Sequence, residues 1–199
     1  VGLSTGLACA LMIYLWVADE VSVDKFHEKD AQLFQVMKHS KSPKGDINTF
    51  AWTPAPLAKA MRTEMPEVEY ATSVQLRQDD QQGVVKAGDK HLKFTEQYAE
   101  SDFFKMFSYK ILDGDATQFL QRKEEIVISD RFAKKVFGQS VGLIGKTIEW
   151  DKAPFSGTYQ IAGVYEMPPK NATNQFDLVF HYDLIIDKFP ETNKWTYGG

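Results

Sequence analysis

Several things are scarce in this 199-residue chain, and each absence closes off a class of function. There is one cysteine, Cys9, and it lies inside an apolar run, so no intrachain disulfide can form. A domain of this size does not need one, whether its compartment is oxidising or reducing. Four histidines (His27, His39, His91 and His181) are scattered without ligand spacing, which argues against a metal site. Lys and Arg number 23 against 27 Asp and Glu, for a net charge of −4, and no basic block stands out. Nucleic acid is therefore not expected as a partner. No fixed-period repeat, low-complexity tract or local Ser, His and acid motif is visible, and nothing argues positively for catalysis. No cofactor is expected in the chain.

The most telling absence is of charge at the start. Val1 to Ala18 reads VGLSTGLACALMIYLWVA, without a single ionisable acid or base group apart from Cys9 and Tyr14. As a helix rising about 1.5 Å per residue it would reach roughly 27 Å, close to the hydrocarbon thickness of a bilayer. A secretory signal would have a basic leader, a shorter apolar core and a small-residue cleavage site. Ala8-Cys9-Ala10 has that last form, but LMIYLWV follows it, and Gly6 stands where a lipoprotein signal wants Leu. A buried core helix is the plain alternative; against it, all faces of the run are apolar, with Leu, Met, Ile, Tyr and Trp crowded into one stretch. The reading is a transmembrane helix over 1–18, with Tyr14 and Trp16 at headgroup level. The start at Val, without a Met or basic flank, reads as a cut inside a longer protein. Gly2, Gly6 and Ala10 fall on one face at four-residue spacing and form a candidate helix-packing surface. Asp19, Glu20, Asp24 and Phe26 mark the exit, and Val21 to Asp30 is expected to carry the helix outward as a polar stalk.

Roughly 180 residues follow, enough for one domain or two small subdomains. Gln32 to Lys38 alternates as a strand does, and SKSPKGDIN follows as a turn. Thr53-Pro54 opens a helix that Pro66 ends; Leu57, Ala60, Met61 and Glu64 share one face, so its buried stripe is short. Tyr70 to Leu76 reads as a half-buried strand. Strand, helix, strand suggests a small α/β layer. QDDQQG at 78–83 is the best internal boundary, and beyond it the pattern turns β-rich. VVKAGDKHLKF is a hairpin about Gly88-Asp89. Ser101 caps a short helix whose Phe103, Phe104, Met106 and Phe107 make an apolar plug. Tyr109, Ile111 and Leu112 lead into the Asp113-Gly114-Asp115 turn. Ile126 to Ile128 is a buried strand, followed by a helix capped by Ser129 and closed by Gly138. Thr147–Trp150, Thr158–Tyr165 and Phe176–Phe180 are further strands.

Three motifs tempt. Gly142-Leu-Ile-Gly145-Lys146-Thr147 looks like the end of a phosphate loop. Ser140 stands where the first glycine belongs, however, and a helix precedes the motif where a strand should. A tight turn is the better account. Asp113, Asp115, Thr117 and Glu124 match positions 1, 3, 5 and 12 of a calcium loop, but Gln118 replaces its glycine. Asn171-Ala172-Thr173 is a glycosylation sequon only on a eukaryotic secretory route.

Three groups of residues carry a family likeness. The first is the helix exit, Ala18-Asp19-Glu20-Val21-Ser22-Val23-Asp24-Lys25-Phe26-His27. The second is Ser101-Asp102-Phe103-Phe104 through Phe107, then Leu112-Asp113-Gly114-Asp115. The third is Ile126-Val127-Ile128-Ser129, the helix to Phe137-Gly138, Ile144-Gly145-Lys146-Thr147-Ile148, and Ile161-Ala162-Gly163-Val164 with Pro168. In order and spacing they cover nearly the whole chain, which resembles the membrane-proximal and periplasmic core region of MacB/FtsX-type ABC-transporter permeases. Gln139-Ser140-Val141 departs from the Asn/Asp-Pro often seen before the Ile/Leu-Gly-Lys turn. No ATPase, coupling segment or adaptor-binding element is matched.

The resemblance implies an α+β fold: an N-terminal transmembrane helix, then a porter-like α/β subdomain with an inserted, mainly β subdomain. The expected divisions are 1–18 for the membrane helix, 19–77 for the stalk and first half of the porter-like part, 78–166 for the insertion and 167–199 for the return. It implies a non-enzymatic permease subunit that transmits ATP-driven motion across the membrane to export or release a substrate. The ATPase would be a separate subunit or domain. Implied partners are the membrane, a second permease copy or homologous half, an ATP-binding subunit and a periplasmic adaptor or lipoprotein. The implied location is a bacterial cytoplasmic (inner) membrane with the soluble part in the periplasm. A ligand-sensing receptor ectodomain is the alternative of similar outline, and a membrane-anchored hydrolase comes third.

Overall fold

A computed structural model describes residues 2–75, 82–87 and 90–197. It opens on helix α1, Gly2–Val21, which is 20 residues long and buries none of them. The run has no proline to break a helix, and an all-apolar helix that buries none of its residues against the domain leaves its whole surface for another apolar medium. One window of α1 is long and apolar enough to cross a membrane, with a mean hydropathy of 1.4. The stalk departs from expectation. The helix stops at Val21, where Ser22 donates from Oγ to the Asp19 carbonyl at 2.8 Å, and Asp24 turns the chain with φ 57°. A short aspartate tolerates that left-handed conformation better than most residues. Residues 22–30 are thus a bent strap, followed by a 3₁₀ turn at Asp30–Gln32.

Next come strands β1 (Lys38–Lys41) and β2 (Ile47–Phe50), which form a separate two-stranded sheet. Gly45, at φ 95°, makes the turn between them and so fixes the register that pairs Lys38 with Phe50. The strand expected over 32–38 is displaced for that reason, and β2 includes residues that read as part of the turn. Helix α2 (Pro56–Glu64) starts later than Thr53-Pro54 suggests. No side chain caps it, and Pro56 opens its first turn in place of Pro54. Met65, before Pro66, is extended and ends it. Of the expected face, Leu57, Ala60 and Met61 are half-buried and Glu64 is exposed, while Ala58 is the buried residue. Strand β3 is short (Val74–Gln75); the end of the strand expected to Leu76, and most of the QDDQQG boundary, lie outside the described residues.

The remaining elements are β4 (Gly83–Ala87), β5 (Lys90–Phe94), β6 (Glu96–Ala99), α3 (Phe103–Met106), β7 (Ile111–Asp113), β8 (Glu125–Ser129) and α4 (Asp130–Phe137). After them come β9 (Thr147–Asp151), β10 (Gly157–Tyr165), β11 (Leu178–His181) and α5 (Asp183–Lys188). The β4–β5 hairpin pairs Ala87 with Lys90 across Gly88-Asp89, a turn outside the described residues. Ser129 caps α4 by accepting the Phe132 N–H at 3.0 Å, and Gly138 closes it at φ 75°. Ser101 caps nothing: α3 follows Asp102 without a side-chain cap.

Among the described residues, nine strands make one mixed sheet in the order β3-β6-β11-β8-β10-β9-β4-β5, with β7 pairing β10. It runs across the boundaries expected at 78 and 166, since β6, β8, β9 and β10 share it with β3 and β11. Strand β6 escaped the sequence reading because Glu96 and Gln97 look like loop residues, yet all four of its positions are buried. The alternation of β8 and β11 divides the interior in two. Ile126, Ile128, Leu178 and Phe180 face a core shared with Phe132 of α4 and with Trp150. Val127 and Val179 face a second core built from Phe103, Phe104, Phe119, Tyr165 and Phe176. Gly163 is required there, because a side-chain carbon would meet the Phe119 ring at 2.1 Å. Asp177, 3% exposed, bolts the sheet to α4. It accepts the Thr95 N–H at 3.2 Å, the Ser129 hydroxyl at 3.2 Å and Arg131 Nε at 2.8 Å.

Candidate functional site at the foot of the first helix

The strap after α1 packs on the rim of the second core, where Phe107 and Tyr109 are partly buried. Two segments of the domain receive the strap: residues 107–109, between α3 and β7, and the loop 168–176 before β11. That loop is internally braced, with the Ala172 N–H donating to the Pro169 carbonyl at 2.9 Å and Gln175 Nε2 to the same oxygen at 2.8 Å. The Tyr165 hydroxyl holds its far end by donating to the Phe176 carbonyl.

Asp24 makes the firmest polar contact. Its two carboxylate oxygens accept the Thr173 N–H at 2.9 Å and the Thr173 hydroxyl at 2.6 Å. Asn171 Nδ2 donates to Ser22 Oγ at 2.7 Å and to Asp19 Oδ1 at 3.4 Å. The left-handed turn at Asp24 aims its carboxylate at the loop, so backbone conformation and contact are one feature. Both polar residues of the apparent sequon are thus committed to the helix exit.

Phe26 and His27 fill the apolar side. The Phe26 ring lies 5.8 Å from Tyr109, and the His27 ring lies 5.1 Å from Phe107 and 5.7 Å from Tyr109. Tyr109 in turn stacks on Phe103 at 5.5 Å and meets Tyr165 at 5.4 Å, so the strap joins the second core directly. Each such ring pair contributes about 0.5–1.5 kcal/mol beyond burial. Two backbone-to-side-chain bonds, one in each direction, set the register: the Ser108 N–H donates to His27 Nδ1 at 3.2 Å, and the Glu28 N–H donates to Ser108 Oγ at 3.0 Å. Because Nδ1 accepts, the ring is neutral with its proton on Nε2. Burial lowers the His27 pKa, against the opposing pull of Asp24 and Asp30. Burial, then the Asp24 charge, pushes the Tyr109 phenol well above its usual range. Outlying ion pairs are Lys25 with Asp30 and Lys29 with Glu69 at 3.2 Å.

Of the exit residues singled out from sequence, Asp19, Asp24 and Phe26 converge here. Glu20 is exposed and has no part in the described contacts. Gly2, Gly6 and Ala10 lie exposed on α1, with open space around both glycines. Sequence reasoning missed Ser22, His27, Ser108, Tyr109, Asn171 and Thr173, whose partners lie 81 or 149 residues apart in the pairs His27–Ser108, Ser22–Asn171 and Asp24–Thr173. No local spacing marks such pairs.

The tempting motifs become local braces. Asp113 accepts the Gly142 N–H at 2.6 Å and the Leu143 N–H at 3.2 Å, fastening the turn that contains Gly142 at φ 70° and Gly145 at φ 85°. Asp115 accepts the Thr117 N–H at 2.9 Å. Among the described residues no group of three or more His, Cys, Asp or Glu is placed to hold a metal ion.

Comparison with known proteins gives the geometry a family. A domain of a Porphyromonas gingivalis protein, classed provisionally as a permease, superposes with a TM-score of 0.64 at 23% identity, over 80% of this chain and 66% of that one. The periplasmic region of MacB from Actinobacillus actinomycetemcomitans gives 0.49 at 14% identity, over 70% of this chain and 59% of that one. The extracellular domain of the ABC-type transporter YknZ, from Gram-positive bacteria, gives 0.47 at 15%, over 69% and 66%. The matched region thus spans 66%, 59% and 66% of those three chains. No curated protein sequence matches the chain. The first of these likenesses supports the fold, and the family follows from the sequence itself: the pattern of the MacB-like periplasmic core domain matches residues 1–195, and the chain belongs to that family.

Proposed function

We propose that this chain is the core region of an ABC-transporter permease in which α1 crosses a bacterial inner membrane and hands its motion to the periplasmic domain through the strap. The observation that carries the reading is the clamp between Asp24 and Thr173, backed by the Asn171–Ser22 and His27–Ser108 contacts. A helix joined to its domain by a loose linker could slide or tilt without consequence. Here the first residues beyond the helix are hydrogen-bonded to the loop before β11, which lies beside central strand β8. A displacement of α1 therefore pulls on the sheet itself.

The proposed partners follow from that role: a second permease copy or homologous half, an ATP-binding subunit that supplies the motion, and a periplasmic adaptor or lipoprotein that receives it. The domain would act by moving, with the ATPase chemistry elsewhere. The test uses the full-length protein with its ATP-binding subunit in lipid nanodiscs, with spin labels reporting the distance between periplasmic domains. ATP should change that distance in the wild type. Asp24→Ala should abolish the change while ATP turnover continues. An ATP response of equal size in the variant overturns the proposal.

A further inference from the structure

Among the described residues, His27 is the one imidazole between the strap and the domain, and its accepting nitrogen is in use. The Ser108 N–H donates to Nδ1 at 3.2 Å, and the ring packs against Phe26 (3.9 Å), Phe107 (5.1 Å) and Tyr109 (5.7 Å). The proton that would make the ring cationic must go to Nδ1, because Nε2 already carries one. Protonation would therefore replace an acceptor with a donor facing the Ser108 N–H, two donors head to head. We propose that His27 is a pH-sensitive latch: its neutral ring holds the strap on the 107–109 segment, and protonation releases residues 26–28 while the Asp24 clamp stays closed.

The groups around the ring set the sense of the effect. From its own segment, Asp24 and Asp30 favour the cation, but both are engaged, Asp24 with Thr173 and Asp30 with Lys25. From the facing segment come Ser108, an N–H donor toward Nδ1, and Tyr109, whose phenol stays neutral across the relevant range. Lys110, the next charge along, is paired with Glu166 at 2.6 Å. Burial outweighs the two carboxylates, and the docked ring's pKa lies below the ordinary value of 6.5. A proton therefore prefers the undocked ring. Docking is at full strength above about pH 6.5 and weakens as pH falls toward the docked pKa, below which it levels off. The loss in the docking constant is about tenfold for each pH unit separating the two pKa values. The latch concerns the contact itself and goes beyond the transport reading, whatever the domain handles.

Peptide-resolved amide hydrogen exchange on the full chain in detergent tests it, at about pH 7.5 and about pH 5.5 and corrected for intrinsic exchange. The control is His27→Asn, whose side-chain oxygen can accept from Ser108 without titrating. Protection of the Glu28 and Ser108 amides should fall severalfold in the wild type at the lower pH and hold steady in His27→Asn. Parallel behaviour of the two proteins overturns the latch. Should His27→Asn fail to dock at neutral pH, the wild-type imidazole titration followed by NMR decides: a pKa below 6.5 supports the latch, and one at or above 6.5 refutes it.

Discussion

Two segments follow the first helix within 30 residues, and they are built in opposite ways. The strap at 22–30 makes its contacts far away in sequence, with Ser108, Asn171 and Thr173. The hairpin of β1 and β2 pairs within itself and stays outside the nine-stranded sheet, with His39 and Thr49 joined across it at 2.9 Å. Around the hairpin, large apolar groups face solvent: Phe34 is 82% exposed, Ile47 72% and Trp52 57%. In the strap, Phe26 and His27 are half-buried against the second core. An isolated two-stranded hairpin is marginal by itself, whereas the strap shares the stability of the domain. Force entering from α1 would thus reach the sheet at the strap, before the chain arrives at the hairpin.

That contrast can be broken at graded cost. The largest effect is expected where the strap leans on the core. Phe103, 3% exposed, supports Tyr109, and Phe103→Ala should lower stability by about 3–5 kcal/mol in denaturant unfolding. Asp24→Ala comes next, since it removes both bonds to Thr173 and leaves an alanine at φ 57°. A loss of about 1–3 kcal/mol is expected, with faster exchange at the Thr173 amide. Asp24→Asn, which tolerates the turn and keeps one acceptor, should lose less. Trp52→Ala on the open side loses only an edge contact with Phe50 at 5.6 Å from a ring that is mostly exposed, and should change unfolding by no more than about 1 kcal/mol. Gly6→Leu should leave the unfolding curve of the domain unmoved. In the assembled transporter it should block close helix packing and uncouple ATP hydrolysis from periplasmic motion. Normal motion in that variant would remove the packing face at Gly2, Gly6 and Ala10 from the account.

Much of the domain was legible because its signals are local. Ser129 and Gly138 bracket α4 as capping chemistry requires, and the hairpin about Gly88-Asp89 has its expected register. The helix exit was legible as a place but misread as a shape. VSVDKFHEKD has a composition that a helix could accept, but the chain leaves the helix at Ser22 and turns at Asp24, φ 57°, whose carboxylate is held by Thr173, 149 residues away. Strand β6 was hidden for a similar reason. Glu96 is tolerated inside because it pairs with Lys152, beyond the end of β9, which its own neighbours do not announce. In both cases a polar residue is placed by a distant partner, and hydrophobic periodicity carries no trace of it.

The claim at the centre is that α1 and the sheet move as one body because the strap joins them. Cys9 is the chain's sole cysteine and lies exposed on α1, so it can carry one spin label, with a second at Glu149→Cys on β9. The distance distribution between them, measured in lipid, should be narrow in that labelled chain and should broaden when Asp24→Ala is added. Equal widths with and without Asp24→Ala would contradict the account, because the helix and the domain would then be held together, or left apart, by something other than the strap.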